Sequence, residues 1–110
     1  MSSDRCILTY NGIDGACAAA MTLLRYPEAE IHVTSAARVG RTIRDICQRE
    51  KTPSELHVCG LGVWCDWQEV QEPARVLAGR GCTLLWYCGR GYLDPNRGRF
   101  GAFCTPVFLD

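Results

Sequence analysis

The stretch Ile7-Leu8-Thr9-Tyr10-Asn11-Gly12-Ile13-Asp14-Gly15-Ala16-Cys17-Ala18-Ala19-Ala20 decides how the chain folds. It reads as a buried strand, a tight turn and the start of a helix. Cys6 to Thr9 is a short apolar run suited to a strand covered on both faces. Asn11, Gly12 and Gly15 are turn residues, and the two glycines let the backbone pass close to another group. The small Ala16, Ala18, Ala19 and Ala20 let the helix, expected over about 15–26, lie close on a sheet. Its N-terminus aims free N–H groups at the turn, a setting that favours an anion. Asp14 is placed in that turn, as an N-cap or a metal ligand. A plain strand-to-helix turn with a capping aspartate is the other reading of the same residues.

Outward from this stretch the pattern alternates. Pro27 closes the first helix. Glu30 to Thr34 alternates Ile31 and Val33 with polar residues, as a strand does. A helix follows with Val39, Ile43, Ile46 and Cys47 on one face and Arg38, Arg41, Arg44, Arg49 and Lys51 on the other. Arg38 and Arg41 fall near the helix start, where cations oppose the dipole, which makes them candidates for anion contact. Glu55 to Cys59 is a third strand that exits into Gly60-Leu61-Gly62. Asp66 and Glu69 have the spacing of a capping box for a short helical turn. Pro73 is expected to interrupt it and to open a new helix to Ala78. Cys82 to Tyr87 is a very apolar, internal strand that exits into Gly89-Arg90-Gly91. Residues 89–101 read as a loop, and Phe103 to Leu109 as a last strand, where Pro106 suits an edge.

Such alternation implies an α/β fold: a mostly parallel sheet of about five strands with helices on both faces. Ligands of such sheets bind beyond the carboxyl ends of the strands. If the first, third and fourth strands are neighbours, Gly12/Gly15, Gly60/Gly62 and Gly89/Gly91 line one cleft.

Composition narrows the setting. The 110 residues make one domain, with 47% hydrophobic residues and zero net charge. Nothing points to a broad nucleic-acid or membrane surface. No signal core or spanning stretch is visible, so the cytoplasm is expected. The eight cysteines lie largely in apolar runs without a CxxC, as free thiols used as small hydrophobes.

The three glycine turns resemble the motifs of the DHH phosphoesterase superfamily, which includes nucleases, exopolyphosphatase-like enzymes and cyclic-dinucleotide phosphodiesterases. The family pattern is a strand, His-x-Asp-x-Asp-Gly, then an alanine-rich helix. Here Tyr10 stands at the histidine, Gly12 at the first aspartate, and Asp14-Gly15 match the second aspartate and its glycine. Gly60-Leu61 occupies the place of a later Asp-Leu. Leu77 to Tyr87 resembles the run into Asp-His-His, with Cys88-Gly89-Arg90 at the triplet.

The resemblance implies a Rossmann-like domain spanning 1–110, without the family's C-terminal substrate domain. Family enzymes hold two manganese or magnesium ions on several carboxylates and histidines. Of the matched positions only Asp14 keeps a family-type ligand, and Arg90 brings positive charge where the metals would be. The expectation is a degenerate phosphoesterase that needs no metal cofactor. Its ligand would be a nucleotide or similar phosphate-bearing molecule, held by Tyr10, Asn11, Gly12, Asp14, Gly15, Gly60, Gly62, Cys88, Gly89, Arg90, Gly91 and Arg38.

Alternatives remain at this level. One is an active manganese- or magnesium-dependent phosphoesterase acting on nucleotides or polyphosphate through a different ligand set. A second is zinc held by His57, Cys59, Cys65 and Cys88. A third is an assembly role, as a homo-oligomer or beside a missing C-terminal domain, through Trp64, Trp67, Tyr92, Phe100 and Phe103. Both histidines, His32 and His57, fall away from the strand exits, which speaks against a nucleophile–histidine pair. The ending in an apparent strand suggests truncation or completion by a partner.

Overall fold

The computed structural model describes residues 4–10, 13–35, 37–59, 67–88 and 104–108. Its elements run β1 (Arg5–Tyr10), α1 (Ile13–Arg25), β2 (Glu30–Thr34), α2 (Val39–Cys47), β3 (Glu55–Cys59), α3 (Trp67–Gly79), β4 (Thr83–Cys88) and β5 (Cys104–Phe108). The sheet has the order β2-β1-β3-β4-β5, and every neighbouring pair is parallel. The α/β class and the parallel sheet are therefore as the alternation implies.

The order has a simple origin. From β1 the chain steps outward to β2, then returns past β1 and continues to β3 and β4. Right-handed crossovers put the helix of the first step on one face and those of the later steps on the other. Accordingly α1 packs Ala19 with Ile7 and Cys59 on one face. On the opposite face α2 and α3 bury Val39, Ile43, Ile46, Val70, Ala74 and Leu77 against Cys6, Leu8, Leu56, Val58, Leu84 and Trp86. Alternation within β1 and β3 supplies both faces at once. Pro106 pairs with Trp86 on β5, an edge strand, where one missing N–H is tolerated.

Two local expectations need correction. Helix α1 begins at Ile13, so Asp14 stands in its first turn and not in the preceding loop. Helix α3 is continuous from Trp67 to Gly79, with Pro73 inside it. A proline there removes the N–H that would bond the Glu69 carbonyl. Tertiary packing outweighs that loss, because Pro73 is buried and its carbonyl accepts a hydrogen bond from the buried Cys47 thiol at 3.2 Å. Gly40 of α2 lies directly on the Glu69 backbone; a Cβ there would come within 3.1 Å of that carbonyl oxygen. Asp66 lies outside the described residues.

Candidate functional site

Strands β1, β3 and β4 are consecutive neighbours, so their carboxyl ends at Tyr10, Cys59 and Cys88 share one edge. That is the condition under which three strand exits share a cleft. The switch in direction lies between β1 and β3. Asn11, Gly12, Gly60, Gly62, Gly89, Arg90 and Gly91 lie outside the described residues, as do Cys65, Trp64, Tyr92, Phe100 and Phe103.

Gly15 has a defined task. A Cβ on it would collide with the Tyr10 carbonyl oxygen and come within 2.8 Å of Thr9 Oγ1. Thr9 donates its hydroxyl proton to the Gly15 carbonyl at 2.7 Å. The close backbone passage expected at Gly15 is thus made by the strand that precedes it. It draws the N-terminus of α1 onto the end of β1.

At the neighbouring exit, β2 into α2, a polar cleft is lined by Thr34, Ser35, Arg38, Arg41, Thr42 and Asp45, with Val33. Arg38 is the N-cap of α2 and makes no side-chain cap bond, and the first turn carries no acidic residue. Thr42 donates to the Arg38 carbonyl at 3.1 Å. The 2.8 Å contact between the Thr34 and Thr42 hydroxyls is then donated by Thr34. Two arginines and a helix start converge here, with Asp45 as the one opposing charge on that wall.

A second constellation was not legible as a site. His57 is fully buried in mid-β3. Its Nε2 lies 2.9 Å from Glu55 Oε1 and its Nδ1 lies 2.8 Å from the Tyr87 hydroxyl. The His57 hydrogen bond, and then the Arg5 guanidinium at 3.2 Å, hold the Glu55 carboxyl below its ordinary range. An ionised Glu55 only accepts, so Nε2 donates to it; in the neutral ring Nδ1 then accepts from the Tyr87 hydroxyl. Burial pushes the Tyr87 phenol up, which keeps its proton on oxygen. In that tautomer the hydrogen bonds run one way, from Tyr87 to His57 to Glu55. Tyr26 adds a ring contact 5.2 Å from His57, and Arg5 lies 4.4 Å over the Tyr26 ring. Tyr87 and Cys59 also line an apolar cleft of about 280 Å³ beside α1.

The only signal for this chain is parity combined with register. Glu55, His57 and Tyr87 share a sheet face because His57 pairs with Leu85. Strand pairing of that kind is invisible within a single strand. Of the residues named for the zinc alternative, His57 has a hydrogen-bond partner on each ring nitrogen, and Cys65 lies outside the described residues. Cys59 Sγ instead meets Thr22 Oγ1 at 3.6 Å.

Among the described residues the group spaced for a metal is another one, Cys6, Glu30 and His32. Arg49 sits within it. Its Nη1 and Nη2 donate to the two Glu30 oxygens at 2.8 Å each, and Nη2 lies 3.0 Å from His32 Nε2. The guanidinium fills the place of a cation, and its bond to Glu30 holds that carboxyl below the usual range. No helix among the described residues is long and apolar enough to cross a membrane. In comparisons with known proteins, no protein-family model, curated protein or solved structure matches the chain.

Proposed function

We propose that this chain is a DHH phosphoesterase-like module that binds a phosphate-bearing ligand, a nucleotide or similar molecule, without a dinuclear metal centre. The observation that carries the proposal is the shared edge of β1, β3 and β4, flanked at the β2 exit by Arg38 and Arg41. An open parallel sheet offers its ligand site at that edge, beside the reversal in strand order. Arginine forks and helix-start N–H groups are the donors that suit phosphate oxygens. A reducing, cytoplasmic setting belongs to the same proposal and is supported by the free thiols Cys6, Cys17, Cys47, Cys59 and Cys82.

Thermal-shift titration with nucleotides, cyclic dinucleotides and polyphosphate tests the proposal. The expected result is stabilisation that grows with ligand concentration and falls when Arg38 and Arg41 are replaced by alanine. The absence of a shift with every phosphate ligand overturns it. Phosphate release that depends on manganese or magnesium would replace it with the active-enzyme alternative.

A further inference from the structure

Strand pairing gathers three unlike metal ligands at the amino-terminal end of the sheet. Cys6 and Glu30 are register partners in β1 and β2, and His32 follows Glu30 by two positions, so all three share one sheet face. Their ligand atoms lie within 4.8 Å of one another. The separations approach those around one small ion. Nitrogen and oxygen donors at about 2.0–2.1 Å and a sulfur at about 2.3 Å, set tetrahedrally, stand roughly 3.3–3.6 Å apart. Here His32 Nε2 is 3.0 Å from Glu30 Oε1, and Cys6 Sγ is 3.8 Å from Glu30 Oε2.

A second observation marks the centre of the group. Arg49 Nη1 reaches Cys6 Sγ at 3.6 Å and Glu30 Oε2 at 2.8 Å. Its Nη2 reaches Glu30 Oε1 at 2.8 Å and His32 Nε2 at 3.0 Å. One guanidinium thus touches all three donors, so they converge on positive charge. In the tautomer that accepts from Nη2, Nε2 turns toward it the lone pair a metal would use. Arg49 lies beyond the C-cap of α2 at Gln48. Its side chain is 25% exposed, so it can swing outward without unwinding the helix. Cys6, fully buried, forms the floor beneath it.

We infer that Cys6, Glu30 and His32 form a site for one zinc ion, which displaces the Arg49 side chain as it enters. Cys6 keeps its proton until the metal arrives, then releases it to solvent and binds as thiolate. The thiolate and the Glu30 carboxylate together balance the dication, so the guanidinium is no longer needed there. Thiolate and imidazole favour zinc over magnesium or manganese. Three protein ligands leave the fourth position to water. This inference is independent of the phosphate site, which lies at the opposite, carboxyl edge of the sheet.

Titration of the whole reduced chain with cobalt(II), followed by absorption and reversed with zinc, tests it. The expected result is a thiolate-to-cobalt charge-transfer band that zinc abolishes at one equivalent per chain. Cys6→Ser is expected to lose that band. His32→Ala and Arg49→Ala change part-exposed side chains and keep the test decisive if Cys6→Ser does not fold. His32→Ala removes a ligand and is expected to weaken binding by about tenfold or more. Arg49→Ala removes the competing cation and is expected to tighten binding by about tenfold. A wild-type chain that shows no sulfur-bound cobalt overturns the inference, even if Arg49→Ala binds it. So does a band that persists in folded Cys6→Ser, or an affinity that either of the other two variants leaves unchanged, since the metal then sits on other thiols.

Discussion

A histidine without solvent contact is tolerated only when both ring nitrogens have partners, and His57 has Glu55 on one and Tyr87 on the other. Replacing it with alanine leaves a cavity, takes from the Glu55 carboxylate its imidazole donor though not Arg5, and takes from the Tyr87 phenol its acceptor. The expected cost is about 2–4 kcal/mol, read as a shift in the urea midpoint. Glu55 gives this unit its pH dependence. Its carboxyl is held below the ordinary value by His57 and then Arg5, so its contribution is present above that value. It is lost as pH falls through the lowered one. Acid titration of the melting temperature should therefore show a steeper decline for the wild type than for Glu55→Gln; identical acid limbs would dismiss this role. At this scale the sequence disclosed little. Glu55 and His57 are two apart on one strand, but Tyr87 joins them only through the register of β3 with β4. Arg49 likewise reaches Glu30 and His32 from the end of α2, a contact that helix periodicity alone reads as a solvated charge.

Among the elements, α2 and α3 depend on one glycine. In a helix interior Gly→Ala usually gains up to about 1 kcal/mol. At Gly40 the new Cβ would lie 2.7 Å from Glu69 Cβ and 3.0 Å from its backbone carbonyl carbon, and backbone cannot turn aside. Gly40→Ala is therefore expected to destabilise by about 1–3 kcal/mol in spite of its propensity. Gly79 has nothing within 4 Å of its added Cβ. There Gly79→Ala should stabilise by about 0.5 kcal/mol. Equilibrium denaturation of both variants compares them, and equal effects would refute the packing argument. The strands were well signalled, since apolar alternation sets β2 and β3 to the residue, whereas α2 ends at Cys47 and leaves Arg49 and Lys51, expected on its outer face, beyond the helix. Pro73 was a second exception. Proline ordinarily ends a helix, and the contact that keeps α3 intact comes from Cys47, 26 positions earlier in the chain.

For the molecule as a whole, strand order governs which parts open first. β3 lies between β1 and β4, with Leu56 and Val58 buried on one face and His57 and Cys59 on the other. β2 is an edge strand with Ile31 and Val33 toward solvent. Amide exchange should be slowest in β3 and faster in the edge strand β2. Early exchange in β3 would contradict the layering. The α/β class followed from the alternation of strands and helices. The adjacency of β1, β3 and β4 did not, because strand order depends on which crossovers reverse direction.

The interior thiols have a practical consequence. Cys6, Cys47, Cys59 and Cys82 are buried, and burial pushes each thiol up, Cys82 to about 12. Thiolate is the reactive form, so these sulfurs ignore an alkylating reagent until the chain around them comes apart. Cys17, at the surface, has no such shelter. Each face of the sheet thus carries its own clock: Cys59 times the release of α1, while Cys6 and Cys47 time the parting of the opposite layer.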